Sequence, residues 1–197
     1  RTPRFSFKQL RGAQKTFSVK KKIMIQNLSL AFRALKGPIN HPVPKVQWFP
    51  ELKIPSLEGK TIAITGCTSG TGEVAARTAC EKGAKVVLLN RPSDRSEKIF
   101  KNLQENGGDV EHVDCDLTSF DSVREAAKRL KDTPIDSLIC NAGIMGFPDL
   151  KTEDECEIQM QANHLSHFLL TSLLWPNLQK SEDGRVVCHT SGTSFFF

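Results

Sequence analysis

From Lys60 onward the apolar positions follow a repeating rhythm. Short β-branched or apolar runs alternate with stretches whose apolar residues recur every three or four positions, the periods of a buried strand and of an amphipathic helix. Strands are predicted at Thr61–Thr65, Lys85–Leu89, Val110–Val113, Ser137–Cys140 and Arg185–His189. Helices are predicted over Gly72–Lys82, with Gly83 as a left-handed cap, and over Asp94–Asn106, ended by Gly107-Gly108. A third runs over Ser119–Lys131, where Thr118 and Asp121 have the look of a capping box. A fourth, long helix covers Glu155–Leu174 and stops at Trp175-Pro176. Strand and helix in alternation imply an α/β domain with a parallel sheet covered on both faces.

Before this rhythm the chain reads differently. Residues 1–22 carry little pattern, and Ile23, Ile25, Leu28, Phe32 and Leu35 recur at roughly helical spacing. Pro38, Pro42, Pro44, Pro50 and Pro55 then forbid a continuous helix and predict an extended strap. The domain boundaries are therefore an extension over 1–56 and a globular domain over 57–197. Charge sharpens the division. Residues 1–50 hold eleven Lys or Arg and no acid, while the remainder holds sixteen basic and twenty-two acidic residues. A basic, acid-free leader ahead of an acidic globule reads as an organelle-targeting segment (plastid or mitochondrion), as an arm that docks on something negative, or as a solvated tail on a cytoplasmic protein.

Composition excludes several classes. No apolar run approaches the ~18 residues that span a bilayer, and nothing marks a specific nucleic-acid reader. The six cysteines, Cys67, Cys80, Cys115, Cys140, Cys156 and Cys188, form no Cys-x-x-Cys pair and no zinc spacing with histidine. They read as reduced thiols, several on core faces.

The chemistry is concentrated at strand ends. Thr65-Gly66-Cys67-Thr68-Ser69-Gly70-Thr71-Gly72 lies between the first strand and the first helix. Gly66 allows a tight exit from the strand, Gly70 removes a side chain where a pyrophosphate must approach, and Gly72 lets the helix pack close. The helix start offers free N–H groups to phosphates. Gly66, Thr68, Ser69, Gly70 and Gly72 are thus candidate dinucleotide contacts. The second strand runs into Asn90-Arg91, and no acid occurs before Asp94. An acid there would bond a ribose 2′-hydroxyl and repel a 2′-phosphate, whereas Arg91 attracts one, so the expected cofactor is NADP(H).

The Thr-Gly-x-x-x-Gly-x-Gly spacing resembles the fingerprint of the short-chain dehydrogenase/reductase family. Asp116-Leu117 after the third strand is similar to that family's adenine-side contact. Cys140-Asn141-Ala142-Gly143 resembles its Asn-Asn-Ala-Gly motif, with Cys in place of the first Asn. Asn163-His164-Leu165-Ser166-His167-Phe168-Leu169-Leu170 resembles the corresponding helix of its retinol dehydrogenase and protochlorophyllide reductase branch. The resemblance covers roughly residues 57–194. It implies a Rossmann-type doubly wound parallel sheet, with about five strands present and the C-terminal strands missing. It adds Asp116, Leu117, Asn141, Ala142 and Gly143 to the cofactor contacts, and assigns Asn163 and Ser191 to the catalytic Asn and Ser.

The family also uses Tyr and Lys for proton transfer. This chain has no tyrosine, and the Tyr-x-x-x-Lys would fall beyond Phe197. His167 and His189 read as structural. Two functions follow. One is an NADP(H)-dependent oxidoreductase of carbonyl or alcohol groups, inactive as the chain stands. The other is a catalytically silent, nucleotide-binding accessory subunit of an organellar complex. In the second, a protein partner covers the fifth-strand edge and binds the basic arm.

Overall fold

A computed structural model describes residues 54–190. The basic leader, most of the proline strap and Ser191 lie outside the described residues.

Five strands form one parallel sheet: β1 (Thr61–Thr65), β2 (Lys85–Asn90), β3 (Val110–Asp114), β4 (Ser137–Cys140) and β5 (Arg185–Cys188). Their spatial order is β3-β2-β1-β4-β5. β1 sits at the centre, with Ile62 level with Val86 of β2 and with Ser137 of β4. The order reverses between β1 and β4, which opens a crevice at the carboxyl ends of the strands.

Alternation along each strand builds two cores. Ile62, Ile64, Val86 and Leu88 face one way, against Ala76 and Ala79 of α1 (Gly70–Glu81) and Ile99 and Leu103 of α2 (Asp94–Glu105). Ala63, Val87, Leu89, Leu138 and Cys140 face the other way. There they meet Val123 and Ala126 of α3 (Phe120–Arg129) and Leu170 and Leu174 of α5 (Ser166–Leu178). α5 is preceded by the single turn α4 (Ile158–Met160) and a π-helical stretch, Gln161–Leu165.

Gly83 closes α1 at φ 88°, the left-handed geometry expected of it. Three expectations fail. The cap of α3 is Ser119, whose side chain accepts from Ser122 N, because Thr118 is engaged with the Asp116 carboxylate. The last long helix cannot start at Glu155, whose φ of 59° is left-handed and turns the chain. Nor does it stop at Trp175-Pro176. A proline in the final turn forfeits only one intrahelical bond. Beyond it, Asn177 Nδ2 reaches the carbonyls of Leu130, Lys131 and Thr133, and Leu178 is buried.

Below the sheet, Asp136 ties the start of β1 to β4. It accepts from Thr61 N at 2.8 Å, Ser181 Oγ at 2.7 Å and Lys60 Nζ at 2.9 Å. Partial burial pushes this carboxyl up, but those three donors together hold it below its ordinary value.

Leu138, fully buried in the centre of the sheet, gives the first prediction. Leu138→Ala should cost about 2–5 kcal/mol of stability. Val74→Ala on the exposed face of α1 should stay within about 0.5 kcal/mol. Urea midpoints of the two variants measure this, and equal midpoints would contradict the core assignment.

Candidate functional site

At the crevice lies a cleft of about 720 Å³. Of the eleven cofactor contacts proposed from sequence, ten line it: Gly66, Thr68, Ser69, Gly70, Arg91, Asp116, Leu117, Asn141, Ala142 and Gly143. Two smaller grooves, about 400 and 450 Å³, lie on the outer faces of α1 and α2 and contain none of them.

Gly72, the eleventh, is buried behind the cleft. A Cβ there would collide with the Gly66 carbonyl and with Asn141 Nδ2. Its role is to let the start of α1 settle onto the loop. Gly66 has a φ of 72°, and a Cβ on it would stand 2.7 Å from Ala142 Cα. These contacts require glycine for backbone reasons alone. Gly70, by contrast, faces open space at φ 60°. The α1 N-cap, Ser69, makes no side-chain cap bond. The first N–H groups of α1 are therefore not satisfied by their own cap, and they sit at the positive end of the helix dipole.

The loop is held by Thr65 and Asn141. Asn141 Nδ2 donates to the carbonyls of Thr65 at 2.9 Å and Gly66 at 3.1 Å. Its Oδ1 accepts from Thr71 Oγ1 at 2.9 Å and from His189 Nδ1 at 2.8 Å. Thr65 Oγ1 accepts from the backbone N–H of Asn141 and of Ala142, each at 3.0 Å. Its own proton faces His167 Nε2 at 2.9 Å. His167 Nδ1 lies 3.0 Å from the Asn163 carbonyl, which only accepts. The carbonyl thus fixes the neutral tautomer with the proton on Nδ1, leaving Nε2 to accept from Thr65. Burial lowers the pKa of His167; the Asn163 carbonyl opposes this and His164 adds to it.

Asn163 stands in the π-helical stretch. Its side chain clamps Ile144, accepting from the N–H at 2.7 Å and donating to the carbonyl at 2.8 Å. It is thereby committed to holding the loop after β4. After β3, Asp116 Oδ1 accepts from Thr118 N and Thr118 Oγ1, while Ser166 Oγ donates to the Leu117 carbonyl at 2.7 Å.

Residues not singled out from the sequence also shape the site. Asn90, 3% exposed, accepts from Cys67 N at 2.7 Å through Oδ1. Its Nδ2 is buried without a protein partner among the described residues. Asn90, Asp94 and Arg95 also border the cleft, as do the apolar side chains of Ile144, Phe147 and Ile158. A polar residue closing the apolar run Val86–Leu89 was the available signal for Asn90. His167 had none, since its partner is 102 positions away in the chain. Among the described residues no cluster suits a metal ion, and no helix is long and apolar enough to cross a membrane.

Residues 60–196 match the short chain dehydrogenase family. Among curated proteins, retinol dehydrogenase 13 of Homo sapiens is 35% identical over 139 residues, covering 67% of this chain and 41% of the relative. Polyprenol dehydrogenase of Danio rerio is 34% identical over 150 residues, covering 72% and 46%. The chain spans less than half the length of these relatives. Among solved structures, a chain described as a short chain dehydrogenase of Shigella flexneri, complexed with NADP, superposes with a TM-score of 0.63. It is 27% identical and the match covers 73% of this chain and 63% of that one.

The neutral, buried His167 predicts an acid-side loss of stability. Its folded pKa lies below the ordinary 6.5, so protons favour the unfolded chain. The ring's contribution is complete above that value and is lost as pH falls below it, towards the folded pKa. Urea midpoints followed downward from about pH 7.5 should fall more steeply in the parent than in His167→Gln, which offers a donor and an acceptor but does not titrate. Parallel curves would refute the neutral-ring assignment.

Proposed function

The chain belongs to the short-chain dehydrogenase/reductase family, and from that footing we propose that its cleft binds NADP(H) as part of an oxidoreductase acting on carbonyl or alcohol groups. The observation that carries the choice of nucleotide is the end of β2. An acid would mark the 2′-hydroxyl of NAD(H); here β2 ends on the neutral amide of Asn90, and Arg91 brings a guanidinium to the cleft. A guanidinium suits the oxygens of a 2′-phosphate. Asp94 also borders the cleft, but as the first residue of α2, past the strand end.

The remaining residues fit the same ligand. The open surface at Gly70 and the uncapped start of α1 accommodate a pyrophosphate. Asp116 and Leu117 border the adenine end, and Asn141, Ala142 and Gly143 the opposite end. The bound nicotinamide supplies or accepts a hydride. Asn163 and Ser191 are the proposed catalytic positions. Asn163 acts through the loop it clamps and through its carbonyl. The family's proton-donating tyrosine has no counterpart here, since the chain holds no tyrosine. These 197 residues are accordingly proposed to bind nucleotide without turning it over at enzymatic rates. The names of the relatives, together with Ile144, Phe147 and Ile158 along the cleft, support an apolar alcohol or its carbonyl product as the substrate class.

Titration with NADPH and NADH tests the nucleotide. The parent chain should bind NADPH more tightly. Arg91→Ala should weaken NADPH by about 10- to 100-fold, the loss of one charge-assisted contact of ~1.5–3 kcal/mol, and leave NADH nearly unchanged. Asn90→Asp should shift the preference towards NADH, because a carboxylate at the strand end repels a 2′-phosphate. Equal affinities in the parent would overturn the assignment.

A further inference from the structure

Cys140 and Cys188 occupy partnered positions in neighbouring parallel strands. Partnered residues place their side chains on the same face of a sheet. Adjacent strands run ~4.8 Å apart, within the ~4.4–6.8 Å separation of Cα atoms that a disulfide spans. The two strands are held in register at this point, with His189 N donating to the Cys140 carbonyl at 3.0 Å.

The two thiols are unequal. Cys140 is 4% exposed, lies under α5 with Thr171 Oγ1 3.9 Å from its sulfur, and belongs to the core. Burial pushes its pKa up to about 11, and the neighbouring Cys188 thiol pushes in the same direction. Cys188 is exposed at the end of β5. An accessible thiol beside a buried second thiol is the arrangement of an oxidisable cysteine with its resolving partner. Cys67 and Cys115 are buried, and burial raises both of their pKa values, that of Cys115 to about 12.

We propose that Cys140 and Cys188 are a redox-active dithiol that closes to an intrachain disulfide in the presence of a peroxide. The Cys188 thiolate attacks one peroxide oxygen, the O–O bond breaks, and Cys188 becomes a sulfenic acid as hydroxide leaves. Cys140 sulfur then attacks the Cys188 sulfur. The S–O bond breaks, the Cys140 proton leaves with the hydroxyl as water, and the S–S bond forms. One peroxide is reduced to two waters and two thiols are oxidised to one disulfide. The bond would staple β4 to β5 directly below Asn141 and His189, whose side chains already bond each other. The proposal does not depend on which nucleotide the cleft holds.

The test uses the full 197-residue chain, reduced and then exposed to hydrogen peroxide. Free thiols are alkylated after denaturation, and non-reducing peptide maps are read by mass spectrometry. The expected result is one cross-linked peptide joining Cys140 to Cys188, two hydrogens lighter than its parts and released by dithiothreitol. Dimedone should label Cys188 in the Cys140→Ser variant. A sulfenic, sulfinic or sulfonic Cys188 with Cys140 still free to alkylate would overturn the proposal. So would any other pairing, a cross-link between chains, or six unreacted thiols. The map of the parent chain decides the matter even where a variant fails to fold.

Discussion

The approach of two backbones at the top of the sheet governs the rest of this structure. β1 and β4 end side by side, and the chain leaving β1 must turn within the space that β4's following loop leaves. Gly66 makes that turn so close to Ala142 that a single added carbon would touch its Cα. Packing of this kind has no slack. It is sealed by Asn141, which uses both amide hydrogens and both faces of its oxygen. Each such bond contributes only about 0.5–1.5 kcal/mol net, but removing one partner strands a half-buried polar group at about 1–3 kcal/mol. The knot therefore resists change more strongly than its individual bonds suggest.

From that knot the cleft follows. Directly after the tight exit α1 begins at the cleft, and no side chain from Ser69 caps its first N–H groups. Neighbouring helices behave differently. α2 and α3 each have a serine whose side chain accepts from the first turn. An uncapped N-terminus keeps the positive end of its helix dipole unneutralised by a cap. At the end of β2, Asn90 is fixed by the Cys67 N–H, which donates to its oxygen and ties the glycine loop to the neighbouring strand.

Much of this was legible in the chain because it rests on local pattern. Strand runs, the glycine loop and the motifs after β3 and β4 each occupy a few consecutive residues, and ten of the proposed contacts meet in one cleft. What was not legible depends on contacts and backbone turns that the pattern of residues does not name. Pro176 looks like a helix stop until Asn177 is seen bonding a loop more than forty positions earlier. Glu155 looks helical until its φ is known. Thr118 and Asp121 mimic a capping box, yet Asp116 takes Thr118 and leaves the cap to Ser119. His167 reads as a structural core residue, and it is one. Its acceptor and donor nonetheless orient Thr65, and through it the two N–H groups that open the loop after β4.

The same hydrogen bonds connect the cleft to the sheet edge. Asn141 touches the glycine loop on one side and His189, just past β5, on the other. β5 pairs only with β4 among the described strands and is four residues long. Its Arg185 and Val187 are exposed, so edge order owes little to burial. A ligand that binds only the assembled loop stabilises everything the loop requires, by mass action. Asn141 holds the loop carbonyls through Nδ2 and meets Thr71 and His189 through Oδ1, so a single amide borders the glycine loop, the start of α1 and the end of β5.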